Sequence, residues 1–290
     1  MTNSKTTSMQ RRHFLSALAC AGAVAVAPSI TRAAPARKGR LKQGLCRGVF
    51  KGVKLDLEGM CREAARLGAV GIDLVGPDSF ATLKHHGLIP TMVPGGGGIK
   101  KGINDKKNHA EIDQRIREAI KAAAAAGAPN VIVMAGDREG IADSAGAENS
   151  VVFLNGIKGL AEELKVTLCI ELLNSKVNHP GYMADHTSWG VEVCKRVNSP
   201  RVKLLYDIYH MQIMEGDVIR TIQQHIKHIG HFHTAGNPGR HEFDDKQELH
   251  YKGICAAIAD LGYQGYLSHE YTPTKNPLET LDKMMGICEV

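Results

Sequence analysis

Val202-Lys203-Leu204-Leu205-Tyr206-Asp207 is an apolar run of strand length that ends on a carboxylate, and the same form recurs on both sides of it. Upstream, Val166-Thr167-Leu168-Cys169-Ile170-Glu171 closes on Glu171; downstream, His231-Phe232-His233 and Tyr266-Leu267-Ser268-His269-Glu270 carry His233 and Glu270. Working outward, short apolar runs fall at residues 41–50, 70–75, 88–93, 130–135, 166–172, 202–208, 229–234 and 265–270, eight in all. Helical patterns lie between them: Leu57, Met60, Cys61 and Ala64 share one face of a predicted helix, and Ile112, Ile116, Ile120 and Ala123 share one face of another. Gly68, Gly127 and Gly262 follow predicted helices as stop signals. Such alternation is the mark of βα units around a parallel sheet. Eight units in about 250 residues predict an α/β chain folded as a single-domain (β/α)8 barrel, with a doubly wound open sheet as the alternative.

The chain has 290 residues, 43% hydrophobic and 23% charged, which is enough apolar material for a full core and excludes disorder along its whole length. Its formal charge of +6 first suggests nucleic acid, but Lys5, Arg11, Arg12 and Arg32 precede position 37 with no acidic residue among them. Without those four the charge is +2, too balanced for a nucleic-acid footprint. Residues 1–36 read as an export signal: a basic start, then a run of small apolar residues from 17 to 27 that is too short to span a bilayer. Arg11-Arg12-His13-Phe14-Leu15-Ser16 is similar to the twin-arginine signal, so the expected partner is the Tat export machinery and the expected location is the periplasm, without stable membrane insertion. Cys20 belongs to that segment. Cys46, Cys61, Cys169, Cys194, Cys255 and Cys288 show no CxxC spacing and read as buried free thiols. Pro94-Gly95-Gly96-Gly97-Gly98 lacks the Lys-Ser/Thr of a P-loop and the spacing of a dinucleotide fingerprint, and reads as a mobile loop at the barrel mouth.

In a (β/α)8 barrel the chemistry gathers at the carboxyl ends of the strands. Glu171, Asp207, His233 and Glu270 end four successive runs there. Any one of them alone reads as a helix cap or a solvated loop end, but three carboxylates converging on one mouth repel one another unless a cation sits between them. Three oxygen donors and one imidazole favour Mn2+ or Mg2+, with Co2+ or Zn2+ as alternatives. His231 lies deeper on the same strand face as His233 and reads either as a partner of the ligands or as a core histidine. His225 and His228 lie on the preceding helical segment and face solvent or cap its end. His210, three residues after Asp207, and Arg240, in the loop after the seventh run, are within reach of a bound substrate; Arg240 alternatively staples its loop through Glu242 or Asp244. Asn174 and Asp185-His186-Thr187 are weaker candidates of turn type, and Trp189 lines a sugar pocket or packs. The first three runs offer Phe50-Lys51, Val75-Gly76 and Val93-Pro94 at their ends, without a histidine or carboxylate.

Ile170-Glu171-Leu172-Leu173-Asn174, Leu205-Tyr206-Asp207-Ile208-Tyr209-His210, Gly230-His231-Phe232-His233-Thr234-Ala235-Gly236, Pro238-Gly239-Arg240-His241-Glu242 and Ser268-His269-Glu270-Tyr271 together resemble the sugar isomerase/epimerase TIM barrels related to xylose isomerase, in particular hydroxypyruvate isomerase-like proteins. Weaker likeness reaches back to Leu41-Lys42-Gln43, so the resemblance covers residues 37–290. It implies that Glu171, Asp207, His233 and Glu270 hold one divalent metal ion, that Glu171 and Glu270 also move the proton, and that His210 and Arg240 touch substrate oxygens. The implied activity is metal-dependent isomerisation of a small hydroxy-keto acid or sugar through an enediolate, such as hydroxypyruvate to tartronate semialdehyde. Hydroxypyruvate isomerases carry glutamine where this chain has His233, whereas ketose epimerases carry histidine. That departure keeps a ketose 3-epimerase or a keto-polyol dehydratase as an alternative, beside a non-catalytic periplasmic sugar-binding barrel. A phosphodiesterase of the apurinic-endonuclease type shares the barrel but needs several metals with ligands on the early strands. The expected partner is a small molecule, not nucleic acid, and homo-oligomerisation is left open.

Overall fold

A computed structural model describes residues 37–290; the expected export segment, residues 1–36, lies outside the described residues. Eight parallel strands form one sheet: β1 (Lys42–Cys46), β2 (Gly71–Asp73), β3 (Ile89–Pro90), β4 (Asn130–Val133), β5 (Thr167–Glu171), β6 (Val202–Asp207), β7 (Ile229–Thr234) and β8 (Tyr266–His269). Neighbours pair in chain order, and β1 pairs with β8. The last seam, between β3 and β4, is closed by a parallel bridge of Val93 to Val131, with Val93 N–H donating to Asn130 O and Ile132 N–H to Val93 O. The sheet is therefore a closed barrel rather than the open doubly wound alternative.

Nine α-helices accompany the strands among the described residues: α1 (Leu57–Arg66), α2 (Phe80–His85), α3 (His109–Ala126), α4 (Asp143–Glu163), α5 (Thr187–Val197), α6 (Ile208–Met214), α7 (Val218–His225), α8 (Tyr251–Asp260) and α9 (Pro277–Ile287). The helical faces read from the sequence are the buried ones. Cys61 and Ala64 of α1, and Ile112, Ile116, Ile120 and Ala123 of α3, pack onto the barrel. Gly127 closes α3 at φ +70°, its N–H returning to Ala123 O and Ala124 O. None of the helices among the described residues is long and apolar enough to cross a membrane. All six cysteines among those residues are free and buried, as the spacing predicts.

The glycine-rich loop after β3 differs from the expectation of a mobile segment at the mouth. A Cβ on Gly95 would lie 2.0 Å from the carbonyl oxygen of Ile132, and one on Gly96 2.8 Å from that of Ile112. These glycines let the chain lie directly on β4 and α3, so close packing explains their composition.

Candidate metal centre

Strand register assembles the site. Asp207 pairs with His233 across β6 and β7, after a shift in register at Leu204/Leu205. Glu171 ends β5 opposite Leu205, and Glu270 follows β8 immediately, its N–H held by Thr234 O. One ligand atom from each of Glu171, Asp207, His233 and Glu270 lies within 4.8 Å of the others, and these four expected residues do converge. His233 Nδ1 is 2.9 Å from Glu270 Oε2 and 3.8 Å from Glu171 Oε1. Asp207, His233 and Glu171 are buried, while the Glu270 side chain is about one-fifth exposed toward the mouth.

Two atoms of this group are buried without a well-aligned hydrogen bond: His233 Nδ1, although Glu270 Oε2 lies 2.9 Å away, and Asp207 Oδ2, whose nearest cation is Arg240 Nη2 at 3.5 Å. Orphaned polar atoms are costly in a folded interior unless another group satisfies them. Asp207 shows how this comes about. Its Oδ1 accepts the N–H of His210 at 3.1 Å and caps α6, leaving Oδ2 free to face the cluster. The cap reading and the ligand reading of Asp207 are therefore both correct, one for each oxygen. A cation among three carboxylates and one imidazole nitrogen would satisfy both orphans, so the donor set fits a divalent ion.

The electrostatics of the chain alone separate the two glutamates. Burial pushes Glu171 up, and the charge of Glu270 adds to it. Burial acts on Glu270 in the same direction, but His233 and Arg240 outweigh it and hold the carboxyl below its usual range. Arg240 places Nη2 2.7 Å from Glu270 Oε2 and 3.5 Å from Asp207 Oδ2, its guanidinium over the ring of Tyr209. The loop-staple alternative for Arg240 is thus excluded: Glu242 instead accepts from Thr274 and the N–H of Lys275, and Asp244 pairs with Lys275.

His210 is fully buried, and its Nδ1 accepts the backbone N–H of Asn174 at 3.1 Å, with Asn174 Nδ2 at 2.6 Å. Its Nε2 has no partner and lies 3.8 Å from Asp207 Oδ2. Burial pushes this imidazole down to about 4, so it stays neutral at pH 7 and carries its proton on Nε2, facing the cluster. Asn174, a weak candidate by sequence, is the residue that sets this tautomer. Asp185 and Thr187 stand away from the cluster: Asp185 binds Arg138, Ser175 and His186, and Thr187 binds Glu215. Trp189 is half-buried on α5 and donates Nε1–H to Asp143 O. His225 and His228 are half-buried, on and just after α7.

Two residues at the site escaped the sequence reading. His179, in the loop after β5, lies with its ring centroid 5.3 Å from that of His210. Asp73 overturns the expectation that the early strands lack a carboxylate. The apolar run at 70–75 continues past it, but β2 ends at Asp73, and Leu74 turns to φ +58°. Asp73 is fully buried and accepts from Thr91, from His231 Nε2 at 2.7 Å and from His233 Nε2 at 3.1 Å. His231 is thereby a partner of the cluster. An acid between apolar neighbours, as in Ile72-Asp73-Leu74, was the available signal, because a carboxylate inside a buried strand needs donors.

Known proteins resemble the chain at several levels. A 2-oxo-tetronate isomerase of Cupriavidus necator is 40% identical over 108 residues, 37% of this chain and 41% of that protein. A hydroxypyruvate isomerase of Escherichia coli is 36% identical over 107 residues, 36% of this chain and 41% of that protein. Across the curated relatives it matches, the chain spans between 41% and 64% of their length. Among solved structures, an AP endonuclease, family 2, from Brucella melitensis superposes with a TM-score of 0.77 at 25% identity, covering 85% of this chain and 99% of that one. A D-psicose 3-epimerase from Clostridium cellulolyticum is similar in fold, with a TM-score of 0.70 at 19% identity, covering 86% of this chain and all of the other. Residues 60–286 match the family described as xylose isomerase-like TIM barrel, which is most of the chain and includes every residue of the cluster, and the chain belongs to that family.

Proposed function

We propose that the chain is a metal-dependent isomerase acting on a small hydroxy-keto acid or sugar, in the manner of a hydroxypyruvate isomerase. The observation that carries this reading is the convergence of Glu171, Asp207, His233 and Glu270 at the ends of four adjacent strands, with no well-aligned hydrogen bond at His233 Nδ1 or Asp207 Oδ2. The relatives named for hydroxypyruvate and 2-oxo-tetronate support the same class of substrate.

These four residues would hold one divalent ion, Mn2+ or Mg2+ by their oxygen-rich donor set. Bound there, the ion supplies Lewis-acid polarisation of a carbonyl and its neighbouring hydroxyl. Proton transfer falls to Glu171 and Glu270, from strands separated by β6 and β7. One takes the proton from the carbon beside the carbonyl, and the other returns one to the neighbouring carbon. His210 offers a neutral Nε2–H to a substrate oxygen, and Arg240 offers its fork to a carboxylate or hydroxyl pair from the mouth. If the proton returns to the same carbon from the opposite face, the outcome is epimerisation. His233 in place of glutamine is the observation that favours this second reading.

The test is proton exchange. The full chain, loaded with Mn2+ or Mg2+ in D2O, is offered hydroxypyruvate, 2-oxo-tetronate and a panel of ketoses, and deuterium entry is followed by NMR. Isomerisation gives deuterium at the original carbonyl carbon in a new constitutional isomer, and epimerisation gives it at an inverted centre. Absence of exchange with every compound, or no gain on adding either metal, overturns the proposal.

A further inference from the structure

We infer that Asp73 is a positioning residue for the metal centre: by accepting the Nε2–H of His233 it holds that imidazole with Nδ1 turned to the ion. The inference rests on the metal reading above and assigns a task to a carboxylate that reading leaves unused.

The two nitrogens of His233 point to opposite sides. Nδ1 faces Glu270 and Glu171, and Nε2 faces Asp73 at 3.1 Å, with Cys46 Sγ farther off at 3.8 Å. A ring nitrogen ligates through its lone pair, so the neutral ring must carry its proton on the other nitrogen. Asp73 presents an acceptor at that point and fixes the tautomer that ligation by Nδ1 requires.

Cys46, Asp73 and His233 also lie close enough to suggest an ion on the Nε2 side. The hydrogen bonds argue against it. Asp73 Oδ2 already accepts from both histidines, and Oδ1 accepts the hydroxyl of Thr91. His231 in turn has Asn130 Nδ2 at 3.4 Å from its Nδ1, which leaves its own proton on Nε2, toward Asp73. Asn130 Nδ2 also donates to Thr91 O at 3.0 Å. The carboxylate is therefore gripped from β7 and from the residue after β3, and two of the residues that hold it, His231 and Thr91, are themselves tied to Asn130 of β4. A fully buried acceptor fixed by two other donors, Thr91 and His231, orients its partner His233 before any ion arrives, which is the condition for high affinity at a rigid site.

The rival role is structural, since the same network crosses the β3/β4 seam. The two roles separate on metal affinity. In Asp73→Ala, Mn2+ dissociation measured by calorimetry should weaken about 10–100-fold, while Asp73→Asn, which keeps one oxygen acceptor, should recover most of the loss. Thr91→Val removes the hydroxyl bond to Asp73 Oδ1 while leaving the bond between Asp73 Oδ2 and His233 in place, and should shift the Mn2+ constant less than about threefold, whatever it does to the thermal midpoint. If Asp73→Ala fails to fold, the Mg2+-loaded wild type labelled with 15N-histidine still decides: long-range correlations should show His233 protonated on Nε2. The inference is overturned by a folded Asp73→Ala that binds Mn2+ like wild type, by equal losses in Asp73→Ala and Thr91→Val, or by a proton found on Nδ1. A wild type that binds neither Mn2+ nor Mg2+ brings down the metal reading as well, which distinguishes the two failures.

Discussion

Glu171 and Glu270 carry the most exposed consequence of the proposed chemistry. Replacing either by glutamine keeps volume and leaves an oxygen for the cluster but removes the group that takes or returns the proton. Glu171→Gln and Glu270→Gln should each lower turnover by at least about 10^3-fold with an unchanged far-ultraviolet circular dichroism spectrum, general acid–base groups being worth about 10^2–10^4 before any loss of metal is added. A variant that keeps wild-type turnover would remove that glutamate from the mechanism. Their legibility in the sequence has a simple cause: each ends an apolar run, so the change from buried strand to polar mouth is written at the residue itself. Asp73 was hidden for the converse reason. Its strand is three residues long, and Leu74 and Val75 continue the apolar pattern after the chain has left the sheet. Likewise the choice between the two readings of His231 needed Asp73 and Asn130, which are 158 and 101 residues away in the chain.

The loops that frame the site are held by specific bonds between elements. Arg138, just beyond β4, reaches Asp185, in the loop after β5, at 3.1 Å, and Asp143, at the start of α4, at 2.6 Å. Burial pushes the Asp185 carboxyl up, but hydrogen bonds from Arg138, Ser175 and His186 prevail and hold it below its usual value. A carboxylate depressed in this way contributes stability above its unfolded pKa of about 3.9, and the contribution is lost as pH falls through the lower folded value. Asp185→Asn should therefore cost about 1–2 kcal/mol at pH 7 in urea unfolding, and the gap to wild type should narrow as pH is taken below 4. A gap that stays constant with pH would mean the pair contributes packing only. The glycine-rich loop makes an independent prediction. Because a Cβ on Gly95 would meet a backbone carbonyl of β4 at 2.0 Å, Gly95→Ala should cost more than about 2 kcal/mol and lower the thermal midpoint by about 4–8 °C. An unchanged midpoint would return that loop to the mobile reading. The sequence shows that four glycines depart from the βα rhythm there. It does not show the β4 carbonyl that makes them necessary.

On the scale of the whole molecule, the barrel brings residues from eight separated segments to one end, and the question is whether that end suits a phosphodiester or a small polyol. Similarity to an AP endonuclease structure makes the question concrete. An enzyme of that type needs several ions with ligands on the early strands, and Asp73 at the end of β2 is the one early carboxylate that the structure brings beside the cluster. Both of its oxygens are engaged, by Thr91, His231 and His233, so three of its roughly four acceptor sites are already taken by donors that a second ion would have to crowd or displace. The charge argument agrees, since residues 37–290 carry a formal +2 and a duplex needs a basic track along its phosphates. The full chain with residues 1–36 still attached has four additional cations in that segment, so the discriminating measurement is made as a function of salt. A duplex carrying one abasic site, incubated with the Mn2+-loaded chain, should remain uncut. Any retention on immobilised DNA at 50 mM salt should be no greater for that duplex than for an intact one. Incision at the abasic site would transfer the chain from carbon-bound proton transfer to phosphoryl chemistry, and would require a second ion that the hydrogen bonds of Asp73 disfavour.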